Sequence, residues 1–249
     1  MILDHCVIYV SGSMCNRKLE RNKTMLVVAD SLAMPRESVV ETVTYADTWP
    51  AITSLRYSRQ VINFSERARD SFSLKESQLS YEIKLSLADL VVLQVGIVDC
   101  MPRLFSKFEK EVLSWLPARL SNYIINNRGK RRAKILGRQR NPMTAVSKEE
   151  FAENLRYFRL LIEENTKILF IPIITNSEKM EVKSPGHIGL VNDYNQIARN
   201  TEGIVFIGSI IEKSQVDPEI FFHEDGYHLS CFGNKEIALA INEAVNSEC

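Results

Sequence analysis

Five short apolar runs, separated by stretches with helical periodicity, constrain the fold of this chain more than any other feature. The runs span residues 24–29, 59–64, 90–96, 167–174 and 203–207. Strands that are apolar along their whole length are typical of parallel sheets with both faces covered. Because helical segments separate the runs, the crossovers should be right-handed and should cover the sheet. The pattern predicts the α/β class, with a five-stranded, mostly parallel sheet between helices.

The segments between the runs predict the helices. Helices are expected over about residues 50–58, 75–86, 147–165, 186–200 and 233–245. Ser147 to Glu150 forms a capping box at the start of the third of these. Residues 104–122 also have helical periodicity, which Pro117 should interrupt. Residues 39–45 alternate in the manner of a short additional strand.

Two further expectations concern side chains and domain organisation. Trp49 and Trp115 are expected in the core. Three polar residues of one helix are expected on its outer face, namely Asn192, Asp193 and Asn195. Residues 1–23 fit no element well and are treated as an N-terminal extension, so that residues 24–249 form a single domain.

Composition excludes several classes of function. The chain has 31 lysines and arginines against 31 acidic residues, so no overall field attracts nucleic acid. Its five cysteines form no C-x-x-C pair and no zinc-like spacing with the four histidines, which fits reduced thiols. Residues 2–10 are apolar but lack the basic flank of a signal peptide, and no run could span a membrane. We expect a cytoplasmic protein without a metal, a nucleic-acid partner or an integral membrane segment.

A serine lies at the end of the first apolar run. The sequence Val27-Val28-Ala29-Asp30-Ser31-Leu32 passes from a strand directly into a small polar turn. Such a turn places the serine hydroxyl at the carboxyl edge of the sheet, where α/β proteins keep their chemistry. A serine hydroxyl is a poor nucleophile at neutral pH, so it needs a base and a group that orients that base.

The best candidates for these partners follow the last apolar run. His223 and His228 flank Asp225, and Gly226 allows a tight bend between them. A carboxylate and an imidazole three residues apart in one turn can meet without help from the rest of the fold. Asp225 and His228 are therefore the preferred partners of Ser31. The alternative is an ordinary turn followed by a surface or helix-capping histidine.

Three motifs of the chain resemble those of the SGNH (GDSL-like) hydrolase family. They are Ala29-Asp30-Ser31-Leu32, Gly96-Ile97-Val98-Asp99, and Asp225-Gly226-Tyr227-His228 with Gly233, in the order and spacing of the family. The resemblance implies a flavodoxin-like, three-layer α/β/α sandwich that needs neither metal nor organic cofactor. It also implies that Ser31 is the nucleophile, that His228 is the general base and then acid, and that Asp225 orients His228.

The chain departs from the family pattern at the oxyanion site. Family members use the N–H of the serine, an N–H of a glycine after the second strand and an asparagine of the second quoted motif. Here Ser31 can supply the first donor, but residues 63–69 contain no glycine and Val98 replaces the asparagine. Loss of one such donor can cost about 10²–10³ in rate. Another donor is therefore expected.

Arginines are the candidates for that donor, because a guanidinium carries several fixed N–H groups and a permanent charge. The candidates for oxyanion or substrate contacts are Arg67, Arg69, Arg103 and Arg36, together with Gly96. The alternative for each arginine is a solvated surface charge. Asp99 is expected to hold loops by accepting backbone N–H groups, and Cys100 to pack as a small apolar side chain.

A basic run from Arg128 to Arg140 contains seven basic residues among thirteen. Two interpretations stay open for it. It could bind a phosphate-bearing substrate, since clustered basic side chains bind phosphate strongly. It could instead be a mobile, solvated insertion between helices.

The resemblance implies acyl transfer through an acyl-serine. We expect hydrolysis of an acylated carbohydrate or another small ester, because residues 96–103 are similar to a bacterial subgroup associated with surface-polysaccharide synthesis. One alternative is an O-acyltransferase that passes the acyl group from an acyl donor to a sugar hydroxyl. Another is a catalytically degenerate module that binds a glycan or a protein, which the presence of Val98 favours.

Overall fold

The structure is a computed structural model that describes residues 23–139, 142–208 and 217–247. Of the extension predicted for residues 1–23, only Lys23 lies in these ranges. No helix in the described ranges is long and apolar enough to cross a bilayer.

A five-stranded parallel sheet forms the centre of the described chain. Its strands are β1 (Thr24–Ala29), β2 (Gln60–Ser65), β3 (Leu90–Gln94), β4 (Lys167–Phe170) and β5 (Val205–Phe206). The spatial order is β2-β1-β3-β4-β5, so β1 lies between β2 and β3. In the register, Ala29 at the end of β1 pairs with Ser65 and Gln94. The predicted sheet is confirmed, and it is parallel throughout.

Helices connect and cover the strands. Within the described ranges they are α1 (Trp49–Tyr57), α2 (Ser77–Ser86), α3 (Ile97–Cys100), α4 (Lys107–Trp115), α5 (Ala118–Lys130), α6 (Arg132–Leu136), α7 (Lys148–Leu161), α8 (Ser177–Lys183), α9 (His187–Arg199), α10 (Pro218–Phe221) and α11 (Cys231–Asn246). The capping box predicted at Ser147 is present, since its side chain accepts the N–H of Glu150. The strand predicted over residues 39–45 is wrong, because only Val43 pairs there, in an isolated bridge with Arg36.

Both faces of the sheet are buried, and this explains the apolar runs. Along β1, Leu26 and Val28 point into one core, which α7 and α9 cover with Phe151 and Tyr194. The alternate residues of β1 point into a second core, which α1 and α11 cover with residues such as Trp49. Successive side chains of a strand point to opposite faces, so a strand between two cores must be apolar at every position.

Two sequence expectations about side-chain position are wrong. Trp115 is 78% exposed. Helix α4 ends at this residue and Pro117 caps the start of the next helix, so the indole lies outside both cores. Asn195 does not face outwards: its amide donates to the carbonyl of Ile173 and accepts that residue's N–H, both at 2.8 Å. The other predictions stand, since Trp49 is fully buried and Asn192 and Asp193 are exposed.

The described part of the basic run is helical and partly packed, although most of its residues are exposed. Arg128 donates to Glu109 at 2.8 Å and to the carbonyl of Leu104 at 3.2 Å. Arg132 donates to the carbonyl of Pro102 at 2.7 Å and to the hydroxyl of Ser184 at 3.0 Å. These bonds hold α5 and α6 against the domain.

Candidate active site

The turn that follows β1 presents Ser31 at the carboxyl edge of the sheet. The N–H of Asp30 still belongs to the sheet and donates to the carbonyl of Gln94 at 3.0 Å. The carboxylate of Asp30 then caps a 3₁₀ turn over Ser31–Ala33 by accepting the N–H of Leu32 at 2.8 Å. The cap ends the strand at a defined residue, so the hydroxyl of Ser31 has a defined position.

A second turn, between α10 and α11, presents Asp225 and His228. The turn is closed by a bridge between Phe222 and Leu229, and Gly226 adopts a φ of +86°, a conformation that favours glycine. One carboxylate oxygen of Asp225 accepts the backbone N–H of His228 at 3.0 Å. The other accepts the Nδ1–H of the same histidine at 2.7 Å. The short turn therefore aligns carboxylate and imidazole locally.

Folding brings these two turns together. The Oγ of Ser31 lies 3.1 Å from Nε2 of His228, although the residues are 197 positions apart. With Nδ1 protonated towards Asp225, Nε2 carries no proton and can accept that of the serine. His228 is only 6% exposed, so little water competes for its ring. Hydroxyl, imidazole and carboxylate thus form one hydrogen-bonded relay, which is the arrangement that a serine nucleophile requires.

Electrostatics keep the carboxylate of this relay ionised. Burial opposes the charge on Asp225, but the hydrogen bonds from His228 outweigh it and hold the pKa of Asp225 well below its usual range. The ring of Tyr227 packs against that of His228, with centroids 4.3 Å apart. Sequence reasoning missed this contact, although Tyr227 stands inside the third motif.

Arg36 is the arginine that the structure places at the relay. Its Nη1 lies 3.2 Å from Nε2 of His228, and its Nη2 lies 2.8 Å from a carboxylate oxygen of Asp225. The backbone of Arg36 is fixed by two hydrogen bonds with Val43, at 2.9 and 2.8 Å. Because a guanidinium only donates, Nε2 must be the acceptor, and the proton of the neutral imidazole lies on Nδ1.

Two of the other three candidate arginines contact other groups. Arg69 pairs with Glu66 at 2.9 Å, and Arg103 donates to the carbonyl of Val98 at 3.0 Å. Arg67 is exposed, and it makes no hydrogen bond or ion pair with a described residue. Within the described ranges, only Arg36 of the four contacts a residue of the relay.

Val98 and the loop after β2 occupy the positions where the sequence departs from the expected oxyanion donors. Val98 is half-buried and packs against the first core, so it contributes no donor. Gly96 has a φ of +118°, and a Cβ there would lie 2.5 Å from the side chain of Ile173, so Gly96 serves close packing. In the glycine-free loop after β2, Ala68 takes the left-handed conformation with a φ of +58°. Alanine rarely does so, and the sequence carries no signal for it.

Two residues beside the site have the structural roles predicted for them. Asp99 is buried and accepts the N–H and the hydroxyl of Ser71, at 2.9 and 2.5 Å, which ties α3 to the segment after β2. Burial raises the pKa of Asp99 to about 6. Cys100 is fully buried in the first core, and burial raises the pKa of its thiol. In the described ranges no group of three or more histidine, cysteine, aspartate or glutamate side chains could hold a metal ion.

Asp30 should make stability depend on pH. Burial raises its pKa from 3.8 to about 7, so its contribution to stability is complete below pH 4 and is lost as the pH rises to 7. We expect the free energy of unfolding to fall by up to about 4 kcal/mol through this group. Asp30→Asn retains an acceptor for Leu32 and does not titrate, so urea unfolding of both proteins from pH 4 to 7 isolates the effect. A difference between them that is constant with pH would contradict this assignment.

Fold and site together define an α/β/α protein with a serine, histidine and aspartate relay at the carboxyl edge of a parallel sheet. No family model and no curated protein matches the sequence. Solved structures do match. A lipase/acylhydrolase from Enterococcus faecalis is 14% identical with a TM-score of 0.57, over 91% of this chain and 96% of that chain.

Two further solved structures have the same architecture. Axe2, an acetylxylan esterase from Geobacillus stearothermophilus, is 15% identical with a TM-score of 0.53, over 90% of this chain and 94% of that one. A protein described as lipolytic and of the G-D-S-L family, from Desulfitobacterium hafniense, is 12% identical with a TM-score of 0.53, over 89% and 99%. The chain therefore has the fold of the SGNH, or GDSL, hydrolases.

Proposed function

We propose that this protein is a serine-dependent esterase of the SGNH type, and that its substrate is an acylated carbohydrate. The observation that carries the proposal is the continuous relay from Ser31 Oγ through His228 to Asp225, with distances of 3.1 and 2.7 Å. A fold can be kept without its activity, so the proposal depends on these contacts rather than on the architecture.

The relay supports a two-step acyl transfer. Ser31 Oγ attacks the ester carbonyl carbon while its proton passes to Nε2 of His228. His228 then gives this proton to the departing alkoxide, and an acyl-serine remains. Water attacks the acyl group, its proton passes to Nε2, and the free acid leaves as Ser31 regains a proton from His228. Asp225 stays ionised and stabilises the imidazolium in both steps.

Arg36 is our candidate for the missing oxyanion donor. In the resting state its Nη1 donates to Nε2, 3.2 Å away, beside the serine oxygen that bonds to the same nitrogen. Once Nε2 has taken the serine proton it can no longer accept. The freed N–H of Arg36 is then available to the negative oxygen that forms on the carbonyl next to Ser31.

A carbohydrate ester is proposed on two grounds. The segment from Gly96 to Arg103 is similar to a bacterial subgroup associated with polysaccharide synthesis, and Axe2, which shares the fold, is an acetylxylan esterase.

Cys100 and Cys231 carry free thiols, which supports a reducing compartment such as the cytoplasm. An O-acyltransferase would use the same acyl-serine, with a sugar hydroxyl in place of water. Product analysis with and without a sugar acceptor separates the two activities.

Labelling with a fluorophosphonate tests the proposal directly. We expect the wild-type protein to be labelled at Ser31 and to hydrolyse 4-nitrophenyl acetate, and Ser31→Ala to do neither, because only an activated serine attacks the reagent. Ser38→Ala is the matched control, since this nearby serine bonds to His223 and should be irrelevant to labelling. Absence of both labelling and turnover of acyl esters in the wild-type protein would contradict the proposed esterase and favour the binding module.

A further inference from the structure

A cationic cavity adjoins the relay on the side of Asp225. The cavity is wide open to solvent and has a volume of about 540 Å³. Three basic side chains line it: Lys130 at the end of α5, Arg132 at the start of α6 and Lys183 at the end of α8. Asp225 and Tyr227 form its border with the relay. The cavity therefore joins part of the basic run to the proposed active site.

The cations of this cavity lack acidic counterparts in the described ranges. Lys183 donates to the backbone carbonyl of Asp225 at 2.9 Å, and Arg132 donates to a carbonyl and a hydroxyl. No described carboxylate lies within ion-pair distance of either residue or of Lys130. Asp225 is the one acidic lining residue in the described chain, and its carboxylate already serves His228 and Arg36.

Arg132 is in a position that is unfavourable for a cation unless an anion binds. It is half-buried, and it lies close enough to Arg103 for the two charges to repel each other. Burial and this repulsion together lower the pKa of Arg132. Its two hydrogen bonds use two of five N–H groups, so donors remain for a ligand.

We infer that this cavity binds a phosphate group carried by the substrate or by the acyl donor. The inference deepens the proposed function and rests on it. A guanidinium fork and two ammonium groups around one space match the charge and the several acceptor oxygens of a phosphate ester or diphosphate. A single carboxylate would leave most of this positive charge uncompensated. A neutral ester of the same size would form no ion pair with these side chains.

Titration calorimetry of the full-length protein with inorganic pyrophosphate, at constant ionic strength, tests the site. We expect saturable binding to one site, weakened at least about tenfold in the double variant Lys130→Gln/Lys183→Gln, because this variant removes two of the three cations that line the cavity. Both lysines are exposed, so this variant should fold. Arg132→Lys keeps the charge but loses the fork, and it should weaken binding as well.

Lys134→Gln is the matched control. Lys134 belongs to the same basic run and is exposed, but it does not line the cavity. We expect its binding of pyrophosphate to equal that of the wild type. Absence of saturable binding, or equal weakening by Lys134→Gln and the lysine pair, would overturn the site, because attraction would then be general rather than local.

Two ligands distinguish the source of the phosphate. Tighter binding of coenzyme A than of uridine diphosphate indicates an acyl donor, and the reverse order indicates a nucleotide-linked sugar. Ester turnover without pyrophosphate binding removes this site and leaves the proposed function intact. Pyrophosphate binding without ester turnover removes the proposed esterase and leaves an anion-binding protein.

Discussion

We expect His228→Gln to lower kcat for a small ester by about 10⁴–10⁶-fold, the effect of losing the base of a serine relay. Glutamine can still hydrogen-bond to Ser31 and Asp225, but it cannot take up a proton at neutral pH. The serine hydroxyl would then have to attack without deprotonation, and the alkoxide would have to leave without protonation. Initial rates with 4-nitrophenyl acetate, together with the melting temperature, measure the effect and confirm folding.

His223→Gln is the control for this experiment. His223 is buried like His228 and lies on the other side of Asp225 in sequence, but its Nδ1 faces the hydroxyl of Ser38 at 3.3 Å. Because His223 does not contact Ser31, its replacement should leave kcat nearly unchanged. If His223→Gln were the more damaging substitution, the assignment of the general base would be wrong.

Arg36→Gln should lower kcat by about 10²–10³-fold with a smaller change in KM, which is the signature of a lost oxyanion donor. The guanidinium is needed most when negative charge develops on the substrate oxygen, so its loss affects the transition state more than ground-state binding. Arg36→Lys keeps the charge but loses the planar arrangement of N–H groups. It should therefore fall between the wild type and Arg36→Gln.

A second result is possible for the same variant, and it would be informative. In the resting structure Arg36 and Ser31 share one acceptor, Nε2 of His228, at 3.2 and 3.1 Å. An increase in kcat for Arg36→Gln would show that the guanidinium only competes with the serine, and the oxyanion role would be lost. Arg67→Gln is the control, since this exposed arginine contacts no residue of the relay in the described chain, and it should behave as the wild type.

The parts of the site that were predictable are those in which a few neighbouring residues decide the geometry. Asp225 and His228 lie three positions apart in one turn. Their contact therefore depends on Gly226 and on the backbone N–H groups of Tyr227 and His228, which Asp225 accepts, rather than on distant packing. The position of Ser31 at a strand end follows from an apolar run that stops at Asp30. Both features belong to short stretches of sequence, where local rules apply.

The unpredicted parts depend on which surfaces meet. Trp115 is as apolar as Trp49, yet one indole is exposed and the other donates its N–H to Gln94 in the core. Nothing within α4 distinguishes them, since exposure depends on where the following helix turns. Asn195 was expected on the surface because it is polar. In the folded chain it meets the two backbone groups of Ile173 beyond β4, which need partners there.

The sequence by itself determined the layered architecture and the chemical identity of the relay, because the period of apolar residues and the motif spacing are properties of the chain alone. Only the tertiary structure decided which arginine contacts the relay. The four candidates, Arg36, Arg67, Arg69 and Arg103, have the same side chain. A long flexible side chain binds the groups that the fold places near it, so sequence alone does not distinguish the four. The tertiary structure also places Lys130, Arg132 and Lys183 around the cavity beside Asp225. Helices α5, α6 and α8, which carry them, meet there because they pack together.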